Sequence, residues 1–481
     1  MTYLSEHLGI VIGLAASVLY ILAFLAAIHA VMKARTSQGA IAWAMALITF
    51  PYLAVPLYAI FGRSKFRGYV DARRVGDHET RDIAVKLRDE HGEKIRAQFK
   101  EAEAPCQTLE NLARMPFTGH NEARLLIDGD ATFGAIFEGI ESARDYILIQ
   151  FFIVKNDELG IELKDRLIRK AQEGVHVYFL YDEIGCHALP RSYVRELTEA
   201  GAVIRPFKTT QGRANRFQIN FRNHRKIVII DGHTAYVGGL NVGDEYMGRH
   251  PVLSPWRDTH AMVSGPVVLG VQISFLEDWY WAAREVPRLT WSPHMEAGGE
   301  KRILVLPTGP ADESDTCSLF FVHLINTSRD RVWIVSPYFV PDESVSSALK
   351  LAAMRGVDVR VMIPERPDHK IVYLAAFSCL QEVEKAGVRI FRYREGFLHQ
   401  KVFLVDDDLA GVGTANLDNR SLRLNFEITL TFADKEFARE VEAMLEEDFR
   451  RSREVEPGEL GRKPYWFQVA VRLARLLSPV L

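Results

Sequence analysis

The first sixty residues of the chain are dominated by two apolar stretches. Residues 8–32 carry no formal charge, and residues 40–61 form a second stretch that is interrupted by Pro51 and Pro56. Each stretch is close to the roughly 20 residues with which a helix crosses the hydrocarbon core of a bilayer. Because the connection between them is too short for a domain, the pattern predicts a membrane hairpin over residues 1–62.

Other interpretations of this segment remain open. A cleaved signal peptide has a basic segment before a shorter apolar one, whereas Glu6 and His7 precede the first stretch. Two buried core helices would show a polar face, which the first stretch lacks. The prolines also allow the second stretch to be kinked, re-entrant or interfacial.

Basic residues are more frequent after the second stretch than in the connection. The later ones are Arg63, Lys65, Arg67, Arg73 and Arg74. Positive charge next to membrane helices favours the cytoplasmic side, so we expect the rest of the chain in the cytoplasm. Residues 63–120 form a charged connector, and we expect its segment 79–103 to be a solvated helix that spaces the following domains from the bilayer.

The remainder of the chain repeats its own pattern. Short runs of β-branched and aromatic residues recur in the same order, each after a charged helical stretch that ends near a glycine. The paired runs are 146–153 with 332–340, 174–182 with 356–364, and 201–207 with 387–393. This alternation is typical of an α/β fold. We therefore predict two similar α/β domains, residues 121–292 and 301–450, packed around one shared active site and followed by a tail, residues 451–481.

One set of side chains keeps the same spacing in both copies. Its members are His224, Lys226, Asp231, Gly238 and Asn241 in the first copy, and His399, Lys401, Asp406, Gly413 and Asn416 in the second. Residues two apart on a strand face the same side, so each histidine should lie beside the lysine of its own motif. A turn at the aspartate would bring the asparagine back to the same point. Aspartate is common at turns whatever its role, so Asp231 and Asp406 are candidates for either support or catalysis.

Two such half-sites suit a phosphodiester. Lysine and asparagine donors stabilise phosphoryl oxygens without a metal, while one imidazole attacks phosphorus and the other protonates the leaving alcohol. A nucleophilic histidine also needs a partner that fixes its tautomer. The candidates for this role are Asp258 and Glu427, each of which lies downstream of one motif.

Composition narrows the classes of function. A net charge of −3 over 481 residues gives no global argument for nucleic-acid binding. The four cysteines are scattered and form no C-x-x-C pattern, which argues against a zinc site or a disulfide framework. We expect no soluble cofactor and no bound metal.

Several further segments carry a family resemblance. They are WRDT at 256–259, SPYFVP at 336–341, GFLHQK at 396–401, GTANLDNRS at 413–421, NFE at 425–427 and LLSPVL at 476–481. Together with the duplicated motif and the amino-terminal hairpin, they resemble the phospholipase D superfamily, and more closely the bacterial cardiolipin synthases of the phospholipase D type. The resemblance covers essentially the whole chain.

The resemblance implies that two phosphatidylglycerols yield cardiolipin and glycerol through a phosphatidyl-histidine. It implies His224 as the nucleophile and His399 as the general acid, although equal spacing in the two copies leaves their order open. The expected phosphate contacts are Asn241, Asn416, Thr414 and Gly239. Many members carry Gly-Ser where this chain has Gly238-Gly239, so at the first position only a backbone N–H could reach the phosphate.

Membrane lipids are the expected partners, namely phosphatidylglycerol and other anionic lipids, with no nucleic acid. The implied location is the bacterial inner membrane, with several membrane passes and cytoplasmic catalytic domains. In the tail, Arg472 and Arg475 interleave with apolar residues, as in an interfacial helix; the alternative is a helix packed on the second domain. The basic segments 213–216 and 222–225 either gather anionic head groups or lie in a solvated loop.

Other functions remain open. Water could resolve the same covalent intermediate, which would make the chain a phospholipase D or a membrane-anchored nuclease, and a non-catalytic scaffold is a third possibility. The intact pair of motifs argues against a scaffold, and the balanced charge argues against a nuclease. Transfer and hydrolysis differ in whether water is excluded from an acceptor site, on which the sequence is silent, as it is on oligomeric state.

Overall fold

The computed structural model describes residues 2–62, 65–66, 68–70, 72, 92–99, 105–211 and 219–481. Some of the residues discussed above lie outside this part of the chain: Arg63, Arg67, Arg73, Arg74, most of segment 79–103, Arg213 and Arg216. The chain divides into two compact units. One is Met1–Val70 with Thr209–Phe221, and the other is Asp71–Lys208 with Arg222–Leu481.

The first unit contains helices α1 (Thr2–Lys33), α2 (Ser37–Thr49) and α3 (Pro51–Phe61). Within the described residues, α1 alone is long and apolar enough to cross a membrane, with a mean hydropathy of 2.6 over His7–Lys33. Helix α2 ends at Thr49, because Pro51 disfavours helical backbone in the residue before it, Phe50. Both shorter helices pack against α1. The second apolar stretch is therefore broken into two short helices.

The second unit contains two rounds of alternating strands and helices. Its strands are β1 (Thr118–Ile127), β2 (Tyr146–Phe151), β3 (His176–Asp182), β4 (Val203–Phe207), β5 (Arg222–Asn223), β6 (Ile227–Ile230), β7 (Thr234–Gly238), β8 (Trp256–Arg257), β9 (Thr259–Ser264), β10 (Lys301–Thr308), β11 (Arg331–Val335), β12 (Phe339–Val340), β13 (Asp358–Pro364), β14 (Arg389–Tyr393), β15 (Phe397–Leu398), β16 (Val402–Val405), β17 (Leu409–Gly413), β18 (Leu417–Asp418), β19 (Asn425–Phe432) and β20 (Ser452–Glu454). Its helices are α4 (Pro105–Ala113), α5 (Asp128–Ser142), α6 (Glu158–Gln172), α7 (Arg191–Glu199), α8 (Val267–Ala283), α9 (Thr316–Thr327), α10 (Glu343–Met354), α11 (Lys370–Glu384), α12 (Asn419–Arg423), α13 (Lys435–Arg450) and α14 (Tyr465–Arg475).

The two halves of this unit share one sheet and one strand order. Toward the centre, the first half runs β4-β3-β2-β6-β7-β9-β1 and the second runs β14-β13-β11-β16-β17-β19-β10, with β20 added at the outer edge beside β14. At the centre, β1 and β10 pair in antiparallel orientation, with Thr118 opposite Ile303. The duplication seen in the sequence is therefore a duplication of an α/β half, and the halves join edge to edge in a continuous sheet.

Corresponding helices are also capped in the same way. Helices α6 and α10 begin after Asp157 and Asp342, whose carboxylates accept backbone N–H groups of the first turn. Each helix is followed by a glycine in the left-handed region, Gly174 with φ 95° and Gly356 with φ 90°, where a residue without a side chain is favoured. The pattern of a charged helix that ends at glycine before a strand is thus confirmed in both halves.

The core lies on both faces of the sheet. All six residues of β2 are buried, as expected for a strand covered on both sides by helices. Ile147 and Ile149 pack into the apolar cluster under α5 and α6, whereas Gln150 points to the opposite face and contacts α8. Two bounds differ from those inferred from sequence: residue 121 falls inside β1, and β20 beyond residue 450 pairs with β14.

Candidate active site

The duplicated motif forms a β-hairpin in each half. Strand β6 pairs with β7, and β16 pairs with β17, both in antiparallel orientation. The turn between the strands begins at Asp231 in the first half and at Asp406 in the second, each with φ 50°. Each histidine precedes the first strand of its hairpin, and the aspartate follows that strand. The histidine and the aspartate of one motif therefore lie at opposite ends of the same strand.

The short strand before each histidine pairs with the other half. Strand β5 runs parallel to β19, and the N–H of His224 donates to the carbonyl of Phe426 at 2.9 Å. Strand β15 runs parallel to β8, and the N–H of His399 donates to the carbonyl of Arg257 at 2.8 Å. Each histidine is thus bonded to the residue that immediately precedes the candidate carboxylate of the opposite half.

This pairing brings each imidazole to a carboxylate from the other half. The Nδ1 atom of His224 lies 2.9 Å from Oε2 of Glu427, and Nδ1 of His399 lies 2.7 Å from Oδ2 of Asp258. Both carboxylates are fully buried. An Nδ1–H that donates to a carboxylate leaves the Nε2 lone pair available for chemistry. The sequence identified both carboxylates as candidates, but it could not show that they cross between the halves.

The two lysines lie beside the histidines of their own motifs. The ammonium of Lys226 donates to the carbonyl of His224 at 2.6 Å, and that of Lys401 donates to the carbonyl of His399. Both side chains are buried. The charge of Lys226 also lowers the pKa of His399 in the opposite half. The two halves therefore contribute to one common site.

Burial favours the neutral form of both imidazoles in the free enzyme. It lowers the pKa of His224 to about 4, although the Glu427 carboxylate acts in the opposite direction. The pKa of His399 is lowered well below its ordinary value by burial and by the charges of Lys401 and Lys226. A neutral imidazole with its Nδ1–H held by a carboxylate is the form required of a nucleophile or a general base.

The two carboxylates differ in their electrostatic environment. Burial acts to raise the pKa of Glu427, but His224, Lys226 and a hydrogen bond from Thr414 outweigh burial, and the pKa is lowered. Burial raises the pKa of Asp258 despite the opposing charge of Lys401. Glu427 is therefore the more firmly ionised of the two partners.

Hydrogen bonding contributes to this difference, in addition to the charges of His224 and Lys226. Glu427 accepts from the hydroxyl groups of Thr414 at 2.6 Å and Ser421 at 2.7 Å, in addition to His224. Donors to a carboxylate stabilise its charged form. Thr414, which the sequence analysis assigned to the phosphate, thus directs its hydroxyl to Glu427, and its N–H donates to Ile428. Ser421 was not identified from the sequence, although it lies in the GTANLDNRS segment.

The position equivalent to Thr414 in the first half is Gly239, and its role is steric. A Cβ atom built on Gly239 would lie 2.0 Å from Oδ1 of Asp258. Its N–H, which the sequence analysis offered to the phosphate, donates to the carbonyl of Thr259 at 3.0 Å. Both positions therefore serve the carboxylates: Thr414 bonds to Glu427, and Gly239 makes room for Asp258.

Replacing Gly239 by alanine should displace Asp258 and release His399. Because a misplacement of about 1 Å in a catalytic group can cost about 10²-fold, we expect turnover to fall by about that factor with little loss of folded protein. Gly134 in α5 is a matched control, since a Cβ there meets no atom of the described residues within 4 Å. Equal activity of the Gly239→Ala and Gly134→Ala variants in a lipid-product assay would contradict this role.

The two asparagines have different partners. The Oδ1 atom of Asn241 accepts from the N–H of Ile153 and its Nδ2 donates to the hydroxyl of Tyr246, both at 3.0 Å. Asn416 is buried, and its Oδ1 atom accepts no hydrogen bond from the part of the chain that the structure describes. The amide of Asn241 is thus engaged by the protein, whereas that of Asn416 is the better placed to interact with a substrate.

Asp231 and Asp406 hold the hairpins in the sheet. The Asp231 carboxylate accepts from the backbone N–H groups of Arg144, Asp145 and Tyr146, each at 2.8 Å. Asp406 accepts from three successive N–H groups just before and at the start of β11. These contacts lie at the strand end remote from the histidines, which favours support rather than catalysis as the role of both residues.

Replacing Asp231 by alanine should destabilise the fold and spare the chemistry. Three N–H groups lose their acceptor, and a residue with positive φ loses a side chain that tolerates it, which together cost about 1–3 kcal/mol. We expect a lower Tm in detergent, a smaller loss for Asp231→Asn, and turnover per folded molecule within about ten-fold of the wild type. An unchanged Tm with turnover lost would instead indicate a catalytic role.

In each motif, the residue between the histidine and the lysine is held by a further buried carboxylate. Neither of these two carboxylates was identified from the sequence. Arg225 binds Asp278 of α8 at 2.8 Å. In the second half, Gln400 donates to Asp448 of α13 at 2.8 Å, and Arg257 forms two hydrogen bonds to the same carboxylate. Asp278 lies in a largely apolar helix, and that contrast could have revealed it. Asp448 lies in a charged helix that gives no such signal.

Taken together, the site offers two neutral imidazoles, each held through Nδ1 so that its Nε2 lone pair can react, and two lysine side chains in a buried setting. That arrangement can attack a phosphodiester, stabilise its oxygens and transfer a proton. Within the described residues, no group of three or more His, Cys, Asp or Glu side chains could hold a metal ion.

Comparisons with known proteins agree with this chemistry. Residues 136–250 and 321–449 match a family described as cardiolipin synthase, PLD-like domain, and residues 21–63 match one described as phospholipase D-nuclease N-terminal. The chain is 51% identical to cardiolipin synthase A of Pseudomonas putida GB-1 over 100% of both chains. It is 52% identical to that of Pseudomonas fluorescens SBW25 over 96% of this chain and 97% of the relative. Phosphatidylserine synthase of Haemophilus influenzae Rd KW20 shares the fold, with a TM-score of 0.58 and 16% identity over 78% of this chain and 100% of that one. The chain therefore belongs to the cardiolipin synthase family with phospholipase D-like domains, and it is a phosphatidyltransferase.

Proposed function

We propose that this enzyme transfers a phosphatidyl group from one phosphatidylglycerol to another and releases glycerol. The observation that carries the proposal is the crosswise pair of buried histidine–carboxylate contacts, His224 with Glu427 and His399 with Asp258. Such a pair can run a two-step displacement at phosphorus, in which one histidine bonds to phosphorus and the other moves the proton.

In the first step, Nε2 of His224 attacks the phosphorus of the donor lipid. A P–N bond forms, the P–O bond to the glycerol head group breaks, and His399 gives a proton to the departing oxygen. In the second step, His399 takes a proton from a head-group hydroxyl of the acceptor lipid. That oxygen attacks phosphorus, the P–N bond breaks and cardiolipin leaves. Lys226 and Lys401 stabilise the phosphoryl oxygens in both steps.

The environment of the carboxylates supports His224 as the nucleophile. Its partner Glu427 accepts from Thr414 and Ser421 as well as from the imidazole, and it has a lowered pKa. A firmly ionised carboxylate stabilises the cationic imidazole of a phosphatidyl-histidine. Asp258, whose pKa burial raises, is a weaker partner and suits a histidine that must both accept and release a proton.

A bound phosphodiester should also raise the pKa of His399 and so favour the protonated form that a general acid needs. Burial and two neighbouring lysines lower the pKa of His399 well below its ordinary value, so the free enzyme holds it neutral. A bound anion offsets the lysine charges and raises this pKa again. Protonation of the general acid is thereby coupled to substrate binding.

We place the enzyme in the bacterial inner membrane, with a hairpin formed by α1 and the α2–α3 segment and with cytoplasmic catalytic halves. Support comes from the apolar length of α1 and from the packing of both shorter helices against it. Accessibility of single cysteines at residue 37 and in the catalytic halves, to a membrane-impermeant reagent applied from each side, tests this topology.

The reaction is tested by incubating purified full-length protein in nanodiscs with phosphatidylglycerol and resolving all products. We expect cardiolipin and glycerol in equal amounts, with no added cofactor and no inhibition by EDTA. Phosphatidic acid as the sole lipid product would replace transfer by hydrolysis. Loss of activity in EDTA that metal restores would overturn the metal-free mechanism.

The rate should begin to fall at a pH lower than the ordinary pKa of lysine. Burial lowers the pKa of Lys401 from its ordinary value near 10.5 to about 8, and it lowers the pKa of Lys226 well below its ordinary value. In the free enzyme both ammonium groups therefore lose their protons at a lower pH than ordinary lysines do. We expect kcat/KM to decline no later than about pH 8, and kcat to decline only at higher pH, because bound phosphate holds the protons on the lysines. A kcat/KM that stays level to pH 10 would contradict the assignment.

A further inference from the structure

The helix α14 in the tail is fixed to the second half by one of its faces. Val471 and Ala474 are buried, and the ring of Phe467 packs edge-on against Phe377 of α11 with centroids 5.1 Å apart. Arg475 forms an ion pair of 2.6 Å with Glu382 of the same helix. The orientation of α14 about its own axis is therefore set, and so is the identity of the face that it turns outward.

That outward face is apolar and exposed. Its residues, with their exposed fractions, are Tyr465 81%, Trp466 70%, Val469 39%, Leu473 61%, Leu476 74% and Leu477 45%. The positions follow helical spacing, so they form one stripe along α14 and its end. A contiguous apolar stripe of this kind on a surface marks an interaction site.

The tail is also connected to the catalytic machinery. After α14, the carbonyl of Leu481 accepts the backbone N–H of Arg420 at 2.9 Å. Arg420 lies in α12, and the next residue, Ser421, donates to Glu427, the partner of His224. The exposed stripe is thus continuous with the segment that supports one catalytic histidine.

We propose that the outward face of α14, residues 465–477, inserts into the surface of the bilayer that holds the substrate and keeps the active site at that surface. The 11 residues of α14 are too few to cross a bilayer, and tyrosine and tryptophan favour the membrane interface. This inference rests on the proposed function, because a lipid-transfer site must meet its substrates at a membrane.

Apolar insertion rather than charge should drive this docking. Three basic residues around the stripe are paired with carboxylates: Lys463 with Glu459, Arg462 with Glu456, and Arg475 with Glu382. These pairs reduce the charge that can attract anionic head groups, although Arg472 hydrogen-bonds to the neutral side chain of Gln381 and keeps its charge. Buried apolar area, in contrast, scales directly with interfacial binding. Docking should therefore persist in zwitterionic lipid and at high salt.

The first test measures the environment of the stripe in the full-length enzyme in nanodiscs. Environment-sensitive labels are placed at Leu473→Cys and Leu476→Cys, with Ile161→Cys as the control, in a background with Cys106 and Cys379 replaced by alanine. Ile161 is also an exposed aliphatic side chain, at 41%, but acidic and basic side chains surround it on α6. We expect quenching by lipid-borne quenchers at residues 473 and 476 only. Quenching by aqueous agents alone would overturn the proposal. So would protection from both lipid-borne and aqueous quenchers, which would indicate that a second protein copy covers the stripe.

The second test separates docking from chemistry. The variant Leu473→Ser/Leu476→Ser should lose roughly ten-fold in rate on phosphatidylglycerol in bilayers and keep the wild-type rate on a short-chain phosphatidylglycerol dissolved as monomers. Ile161→Ser should match the wild type on both. An equal loss on both substrates would show a structural role and overturn the proposal. A wild type that makes no cardiolipin from either substrate would count against the proposed function, while the label result would still decide docking.

Discussion

Replacement of His224 by alanine is expected to reduce cardiolipin formation by about 10⁴-fold or more, because it removes the atom that bonds to phosphorus. Replacement of His399 by alanine should cost about 10²–10⁴-fold, the usual contribution of a general acid or base. Both losses are measured as initial rates in nanodiscs. His176, an exposed residue at the start of β3, provides the control, and His176→Ala should be as active as the wild type.

An activated donor distinguishes the two histidines. With p-nitrophenol as the leaving group, the first step needs no general acid, whereas release of the phosphatidyl group still needs a base. The His399→Ala variant should therefore give a burst of one nitrophenolate per enzyme and then stop, with a phosphatidyl group bound to His224. The His224→Ala variant should give no burst. The opposite result would reverse the order of the histidines, and substantial turnover in either variant would rule out a shared site.

The sequence predicts those features that local patterns encode. Hydrophobic alternation and the glycine stops indicate the α/β halves, because each strand and its preceding helix are determined within a few residues. The H-x-K spacing places His224 beside Lys226, which is again determined within a few residues. The chain also reverses direction at Asp231, as expected for a hairpin. The break between α2 and α3 at Phe50 follows from Pro51, which the sequence already identified as an interruption.

Contacts between distant segments could not be predicted in the same way. Glu427 lies 203 residues from His224, and nothing in the spacing of one motif indicates which half supplies its carboxylate. The pairing follows from β5 and β15, strands of two residues each, which are too short for a periodic signal. The roles of Thr414 and Gly239 depend on the same crossing, since each residue contacts the carboxylate that crosses to the other half.

Exchange of Glu427 for glutamine should lower turnover by about 10³–10⁴-fold, and exchange of Asp258 for asparagine by about 10²-fold. In each case the amide can present an N–H to Nδ1 of the histidine. The imidazole then carries its proton on Nε2, where the lone pair is needed. The loss is larger for Glu427, because that carboxylate also balances the charge of the phosphatidyl-histidine and accepts from Thr414 and Ser421.

The activated donor also tests the crosswise pairing itself. If Glu427 serves His224, the Glu427→Gln variant loses the nitrophenolate burst, whereas Asp258→Asn keeps the burst and loses the second step, because its carboxylate serves His399. Pairing within each half predicts the reverse. Glu446→Gln, at an exposed carboxylate of α13, controls for loss of negative charge and should behave as the wild type. A burst that both variants retain in full would show that neither carboxylate orients the nucleophile.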